Sequence, residues 1–107
     1  MASIILLTIT DHSATVTVTL NDPIGPTNSW TASPAGILSK DAGSWNQLTG
    51  SGDLEIRGGH PETTMLTIKE INTYAPAVGM QGSGIHWGSG GAIPENAVVD
   101  CTVQSFS

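Results

Sequence analysis

The stretch ATVTVTL at residues 14–20 alternates strictly between apolar and hydroxyl-bearing side chains. Because successive side chains of a β-strand point to opposite faces, this alternation predicts a strand with its valines and Leu20 buried and its threonines turned outward. A second alternating apolar run occupies residues 5–9, and turn-forming residues at 11–13 separate the two runs. Residues 3–20 are therefore predicted to form a β-hairpin.

Shorter alternating runs recur along the rest of the chain, and no long window shows a convincing helical period. The 13 glycines and 6 prolines fall mostly between these runs, a spacing that is typical of β-sandwiches and barrels. We predict an all-β, single-domain antiparallel β-sandwich, or a small barrel, of about six to nine short strands over residues 1–107, with little or no helix. Strands are expected at 63–69 and 97–106, and 53–57 is a short candidate. Weaker candidates are 45–48, 77–80 and 85–87, and a short turn of helix at most is expected at 37–45 or 69–74.

Alternation also assigns side chains to faces within these strands. It places Thr64 on the same face as Leu66 and Ile68. It places Cys101, the single cysteine, on the apolar face of residues 97–106, which indicates a buried thiol. The alternatives for this cysteine are an intermolecular disulfide or a nucleophile paired with a histidine, and both require an exposed sulfur. A lone cysteine excludes an internal disulfide framework.

The charge balance restricts the class of ligand. The net charge is −6, and only 11% of residues are charged, with Lys40, Arg57 and Lys69 as the only lysines and arginines. Nucleic acids require clustered cations, so they are excluded as partners, and anionic membranes are disfavoured for the same reason. Polarity carried by hydroxyls and amides favours an uncharged polyhydroxyl ligand such as a sugar.

The three tryptophans all lie in polar stretches rich in glycine, serine, asparagine or proline. A tryptophan on a polar loop offers a ligand a flat apolar face and an N–H donor. Trp87 and Trp45 are therefore the candidates for stacking on a sugar ring, and for each of them the alternative is packing in the core. His86 and Trp87 are neighbours on a predicted strand, so only one of the two faces a given surface.

A second group of candidates lies in the segment RGGHPE, residues 57–62. Arg57, His60 and Glu62 could ring a polar pocket, since two glycines let backbone approach a ligand and the proline stiffens the loop. The alternative is a plain hairpin loop with solvated side chains. Together with His86 and Asn46, these three residues are the predicted hydrogen-bonding partners of sugar hydroxyls.

The sequence contains no motif that supports catalysis or a cofactor. No Gly-x-Ser-x-Gly elbow identifies a nucleophile, no Gly-Lys-Ser/Thr marks a phosphate loop, and a small β domain rarely builds a glycosidase cleft. Asp11 with His12, and Asp53 with Glu55, offer metal ligands at spacings that match no zinc or calcium loop. We therefore expect no enzyme activity, no cofactor and no metal site.

The acidic, cysteine-poor composition, rich in threonine, glycine and tryptophan, resembles that of the small cytoplasmic β-sandwich lectins of fungi. It is also similar to that of compact membrane-binding β-sandwiches such as the aegerolysins. The first resemblance implies sugar binding, and the second implies lipid binding of the cytolysin type. The short N-terminal apolar run fits neither a membrane span nor a signal peptide, so a cytoplasmic location, or release without a classical signal peptide, is expected.

The sequence thus predicts a carbohydrate-binding, lectin-like module without catalytic activity. Two alternatives remain: a structural or protein-interaction subunit that self-assembles, and a membrane-lipid-binding β-sandwich. The first hairpin is apolar and low in charge, and as the edge of a sheet it would need cover. A homodimer or higher homo-oligomer is expected to provide that cover, and it would also raise avidity for a glycan.

Overall fold

The computed structural model, which describes residues 4–11, 14–21, 28–48 and 53–107, is an eight-stranded antiparallel barrel. Each strand pairs with the next in sequence, and the last pairs with the first, so the sheet closes on itself. The all-β prediction is confirmed, and of the two predicted architectures the small barrel is the one formed; a sandwich is not shown. The strands are β1 (Ile4–Asp11), β2 (Ala14–Asn21), β3 (Ser29–Ser33), β4 (Ala42–Gln47), β5 (Leu54–Gly58), β6 (Thr63–Lys69), β7 (Gln81–His86) and β8 (Ala97–Phe106).

The predicted hairpin is present as β1 and β2, in register from Ile4 opposite Asn21 to Asp11 opposite Ala14. Its turn, including His12, lies outside the described residues. The hairpin has no free edge, because β1 also pairs with β8 and β2 also pairs with β3. Barrel closure therefore removes the reason for which an oligomer was expected, namely an apolar edge in need of cover.

The interior of the barrel is the hydrophobic core. Apart from a bulge in β6, the strands turn alternate residues inward, as the period of two requires. The apolar positions predicted for β1, β2, β5 and β8 are the buried ones. Full burial of one such aliphatic side chain contributes roughly 1.5–3 kcal/mol. The core consists of Ile5, Leu7, Ile9, Val16, Val18, Leu20, Trp30, Leu38, Trp45, Leu54, Ile56, Met65, Leu66, Ile68, Ile71, Ile93, Val99, Cys101 and Val103.

Strand β3 was not predicted, and its buried residue, Trp30, reaches across the neighbouring strand. Trp30 lies opposite Gly43 of β4, which lies opposite Gly58 of β5. The Trp30 indole N–H donates to the carbonyl oxygen of Arg57 at 2.7 Å, two strands away, so the ring extends across β4 at Gly43. An added Cβ at Gly43 would collide with that same carbonyl oxygen, so the crossing requires glycine at this position.

The loops divide between two ends of the barrel. Because successive strands run in opposite directions, loops 34–41, 59–62 and 87–96 share one end, here called the upper end. Loop 70–80 and the paired residues Ile4 and Ser107 lie at the other, lower end. Residues 37–45 and 69–74 contain no helical turn, in agreement with the prediction of little or no helix. Within the described ranges, no helix is long and apolar enough to cross a bilayer.

Candidate functional site

Two loops at the upper end are held together by backbone hydrogen bonds. The N–H of Ala92 donates to the carbonyl of Gly36 at 3.0 Å, and the N–H of Ile93 donates to the carbonyl of Ile37 at 2.9 Å. Loop 87–96 therefore lies along loop 34–41 in a short ladder. These two loops are far apart in sequence, and the folding of the strands into a barrel brings them together at the upper end.

His86 links the same two loops from inside the barrel. Its Nε2 accepts a hydrogen bond from the backbone N–H of Ser39 at 3.1 Å, so the ring proton is on Nδ1, which donates to the carbonyl oxygen of Pro94 at 3.2 Å. The side chain is fully buried. His86 was predicted to bind sugar hydroxyls; this is corrected, because both of its nitrogens are used within the protein and neither reaches solvent.

Next to this link, on the outer wall of β6, lies a groove of about 270 Å³. Loop 34–41 contributes one side, the start of β6 contributes the floor, and loop 87–96 contributes the other side. Pockets for small ligands typically measure roughly 300–1,000 Å³, so this groove is shallow and suited to a single ring. Its lining residues are Ser39, Lys40, Thr63, Thr64, Met65, Trp87, Gly88, Ser89 and Glu95.

A β-bulge shapes the floor of the groove. The register of β5 and β6 passes from Ile56 opposite Leu66 to Arg57 opposite Thr64, so Met65 is the extra residue. The bulge places Thr64 opposite the exposed Arg57, on the outer face, and not on the face of Leu66 as the alternation predicted. Met65 nevertheless remains buried, because loop 87–96 covers it.

Trp87 forms an aromatic wall of the groove. With 43% of its surface exposed, it is the one accessible tryptophan of the three, all of which the structure describes. Its backbone N–H donates to the carbonyl of Met65 at 2.7 Å, and its indole N–H donates to the hydroxyl of Thr67 at 2.9 Å. Since both donors are engaged, the ring is fixed before any ligand arrives, which reduces the entropy lost on binding.

Two opposite charges line the groove without neutralising each other. Within the described residues, neither the Lys40 ammonium nor the Glu95 carboxylate has a hydrogen-bond or ion-pair partner. The stem of Lys40 runs past Gly58 and Gly59, where an added Cβ would contact it, so the ammonium lies towards the turn between β5 and β6. The groove therefore presents a strong donor and a strong acceptor to a ligand.

Trp45, the second predicted stacking residue, is in the core. Only 3% of its surface is exposed, and its indole N–H donates to the carbonyl of Asn21 at 3.1 Å. The prediction that Trp45 contacts a ligand is corrected for this reason. Trp30 and Trp45 each occupy an inward position of a short strand. The polar residues on either side of each tryptophan occupy the outward positions, which is why the surrounding sequence is polar.

The segment 57–62 does not form the polar pocket that was predicted. Arg57 Nε pairs with Glu55 Oε1 at 3.8 Å on the outer face, and the Glu62 carboxylate accepts two hydrogen bonds, both at 3.0 Å, from the backbone N–H and the hydroxyl of Ser44. His60 is exposed in the turn. Asn46 is exposed on β4, opposite Glu55. Arg57, His60 and Glu62 border the upper end, whereas Asn46 lies near the lower end of β4, and none of the four lines the Trp87 groove.

Most of the residues that line the groove were not predicted from the sequence. Ser39, Lys40, Ser89 and Glu95 come from loops whose proximity is a tertiary property, and no local pattern signals it. The run GSGG at residues 88–91 was a usable signal. A Cβ at Gly88 or at Gly91 would collide with loop 34–41, so these glycines mark where the two loops touch.

Other potential chemical groups are separate from this groove. A depression of about 410 Å³ on the outer wall of β7 and β8 contains the carboxylates of Glu70 and Asp100. No cluster of three or more histidine, cysteine, aspartate or glutamate residues in the described part of the chain could hold a metal ion.

Burial raises the pKa of the Cys101 thiol to about 12. The thiol is therefore neutral and inaccessible, which does not fit a nucleophile or an intermolecular disulfide.

No family model, curated protein or solved structure matches this chain. Any assignment of function accordingly rests on the groove. Its chemical resources are a fixed aromatic face, several hydroxyls, one ammonium and one carboxylate, and these resources are suited to binding.

Proposed function

We propose that this protein is a non-catalytic carbohydrate-binding protein whose ligand stacks on Trp87. The observation that carries the proposal is a half-exposed indole, fixed by two hydrogen bonds, in a shallow groove rimmed with hydroxyls. The C–H face of a pyranose ring is apolar and flat, and it is excluded from water by contact with an aromatic face.

The polar lining provides partners for sugar hydroxyls. The Lys40 ammonium donates to hydroxyl oxygens, the Glu95 carboxylate accepts from hydroxyl protons, and Thr63 and Ser89 can do both. Hydrogen bonds to charged groups are about twice as strong as neutral ones, so Lys40 and Glu95 orient the ring. These residues replace His86, Trp45 and Asn46 as the proposed contacts, and Arg57, His60 and Glu62 are placed at the border.

A glycan-array screen followed by tryptophan fluorescence titration tests the proposal. Trp30 and Trp45 are buried, so a ligand that enters the groove changes mainly the emission of Trp87. We expect a saturable change with the wild-type protein, and loss of binding in Trp87→Ala. Trp87→Phe is the matched variant, because it keeps an aromatic face and should retain part of the affinity.

A folded Trp87→Ala variant that binds the same glycan with unchanged affinity would show that the groove is not the site. A clean negative on the array, with folded protein at high concentration, would contradict sugar binding altogether. Folding of each variant is checked by circular dichroism.

We also propose that the lectin forms a homodimer or higher homo-oligomer, because single shallow sugar sites bind weakly and multivalency raises avidity. Native mass measured over a range of concentrations tests this. A second candidate function, lipid binding, is favoured by the lower end, where Tyr74 and Val78 are exposed by 52% and 68% in the stretch 71–80, which contains no charged residue. Co-sedimentation with zwitterionic liposomes distinguishes it from sugar binding.

A further inference from the structure

We infer that the Trp87 groove selects an amino sugar, that is, a saccharide with a free protonated amine, over neutral and N-acetylated saccharides. This inference rests on the proposed function and names the class of ligand for the same groove. It follows from how the charged groups at the upper end are paired.

The Glu95 carboxylate is the anion of the groove, and no described residue neutralises it. It shares the lining with the exposed face of Trp87. A carboxylate and an indole together attract an ammonium, by ion pairing and by interaction with the negative face of the ring. A protonated sugar amine next to the stacked ring can make both of these interactions. A hydroxyl or an acetamide at the same carbon is uncharged and makes neither.

The cations near the groove oppose this selection weakly. Arg57 is paired with Glu55, which in turn accepts a hydrogen bond from the groove residue Thr64 at 3.2 Å. Lys40 is the unpaired cation of the lining, and its stem carries the ammonium away towards Gly59. There it can donate to a hydroxyl oxygen of a sugar without contacting the amine at Glu95.

The charge of the whole chain acts in the same direction. The net charge of −6 attracts a polycationic saccharide from a distance and repels an acidic one, an effect that salt weakens. The attraction of the saccharide by the net charge can be separated experimentally from its pairing with Glu95. Neutralising a carboxylate outside the groove changes the net charge by the same amount and leaves Glu95 in place. Asp100, exposed on β8, serves this purpose.

The experiment compares three probes of equal length and linkage by fluorescence titration and calorimetry: a glucosamine oligosaccharide, its fully N-acetylated counterpart and a glucose oligosaccharide. All are measured in one mildly acidic buffer at low salt. We expect the glucosamine probe to bind most tightly and to be the probe most weakened by added salt. Glu95→Gln should weaken all three probes, because it replaces a charged acceptor of sugar hydroxyls by a neutral one. It should weaken the glucosamine probe about 2- to 5-fold more than the other two, as for the loss of an exposed ion pair.

Two variants control for charge. Asp100→Asn removes the same charge outside the groove and should leave the order of the three probes unchanged. Lys40→Gln removes the opposing cation and should raise the ratio of glucosamine affinity to glucose affinity. Opposite shifts of this ratio in Glu95→Gln and Lys40→Gln identify the groove as the origin of selection.

Equal binding of all three probes by the wild type, abolished by Trp87→Ala, would overturn the amino-sugar inference while the proposed function stands. A preference for glucosamine that Asp100→Asn lowers as much as Glu95→Gln would also overturn it, because the preference would then be global. Absence of binding to any saccharide would refute the inference and the proposed function together.

Discussion

Replacing Trp30 or Trp87 by alanine is expected to have very different effects on the free energy of unfolding. Trp30 is 1% exposed, and its indole N–H holds the Arg57 carbonyl oxygen at 2.7 Å. Truncating a buried tryptophan costs roughly 3–5 kcal/mol, and leaving the carbonyl unsatisfied costs about 1–3 kcal/mol more. Small domains have about 5–15 kcal/mol of stability, so Trp30→Ala removes most of it.

Trp87 is 43% exposed on the outer wall, and no cavity forms in the barrel when it is removed. About half of the transfer contribution is lost, together with a part-exposed hydrogen bond to Thr67, so Trp87→Ala should cost about 1–2 kcal/mol. This variant should therefore remain folded at room temperature, which the binding experiments require.

Urea denaturation followed by far-ultraviolet circular dichroism measures both variants without relying on tryptophan emission. If Trp30→Ala does not fold, Trp30→Phe keeps most of the buried volume, loses the N–H donor and should still be clearly less stable than Trp87→Ala. Equal losses for the Trp30 and Trp87 variants, or a larger loss at Trp87, would refute the assignment of Trp30 to the interior and Trp87 to the groove.

Three further predictions concern single positions. Cys101 should not react with a thiol reagent at pH 8 in the native protein but should react fully in urea. Because burial raises the pKa of this thiol to about 12, from 9.0 for an exposed thiol, the free energy of unfolding should fall as pH rises from about 9 towards 12. Gly84→Ala should lower the midpoint of urea denaturation, since the added methyl group collides with the carbonyl oxygen of Thr67 across the β6–β7 ladder. His86→Ala should lower the free energy of unfolding by about 2–4 kcal/mol, measured by denaturation, because the Ser39 N–H loses its acceptor. It should also lower sugar affinity, measured by titration, because loop 34–41 is no longer linked to the Trp87 side of the groove.

The sequence predicted the strands that carry their own alternating apolar residues. Strands β1, β2, β5 and β8 each place three or two aliphatic side chains inward, and a period of two is visible in them. Strand β3 has one apolar anchor, Trp30, between polar residues, so no period can be read from it. Gly43, the residue opposite Trp30 across which the ring extends, has no side chain and looks like a turn residue in the sequence.

The candidate site was less predictable, because it is assembled by contacts between distant segments. Only Trp87 among the predicted residues lines the groove. Lys40 and Glu95 are separated in sequence by four whole strands and come to line the same groove only in the folded barrel. The bulge at Met65, which changes which residues of β6 face outward, depends on pairing with β5 and has no signature in the sequence of β6 alone.

The groove depends on which of His86 and Trp87 faces the interior of the barrel. Neighbouring residues of a strand face opposite sides, so one of the two had to enter the barrel. The histidine enters, opposite the inward residues of β8, and its nitrogens would be left unsatisfied there without partners. Loops 34–41 and 87–96 supply those partners at Ser39 and Pro94. The bonds that make the buried histidine tolerable therefore also place Ser39 and Lys40 across from Trp87, so the burial of His86 and the shape of the groove have one physical cause.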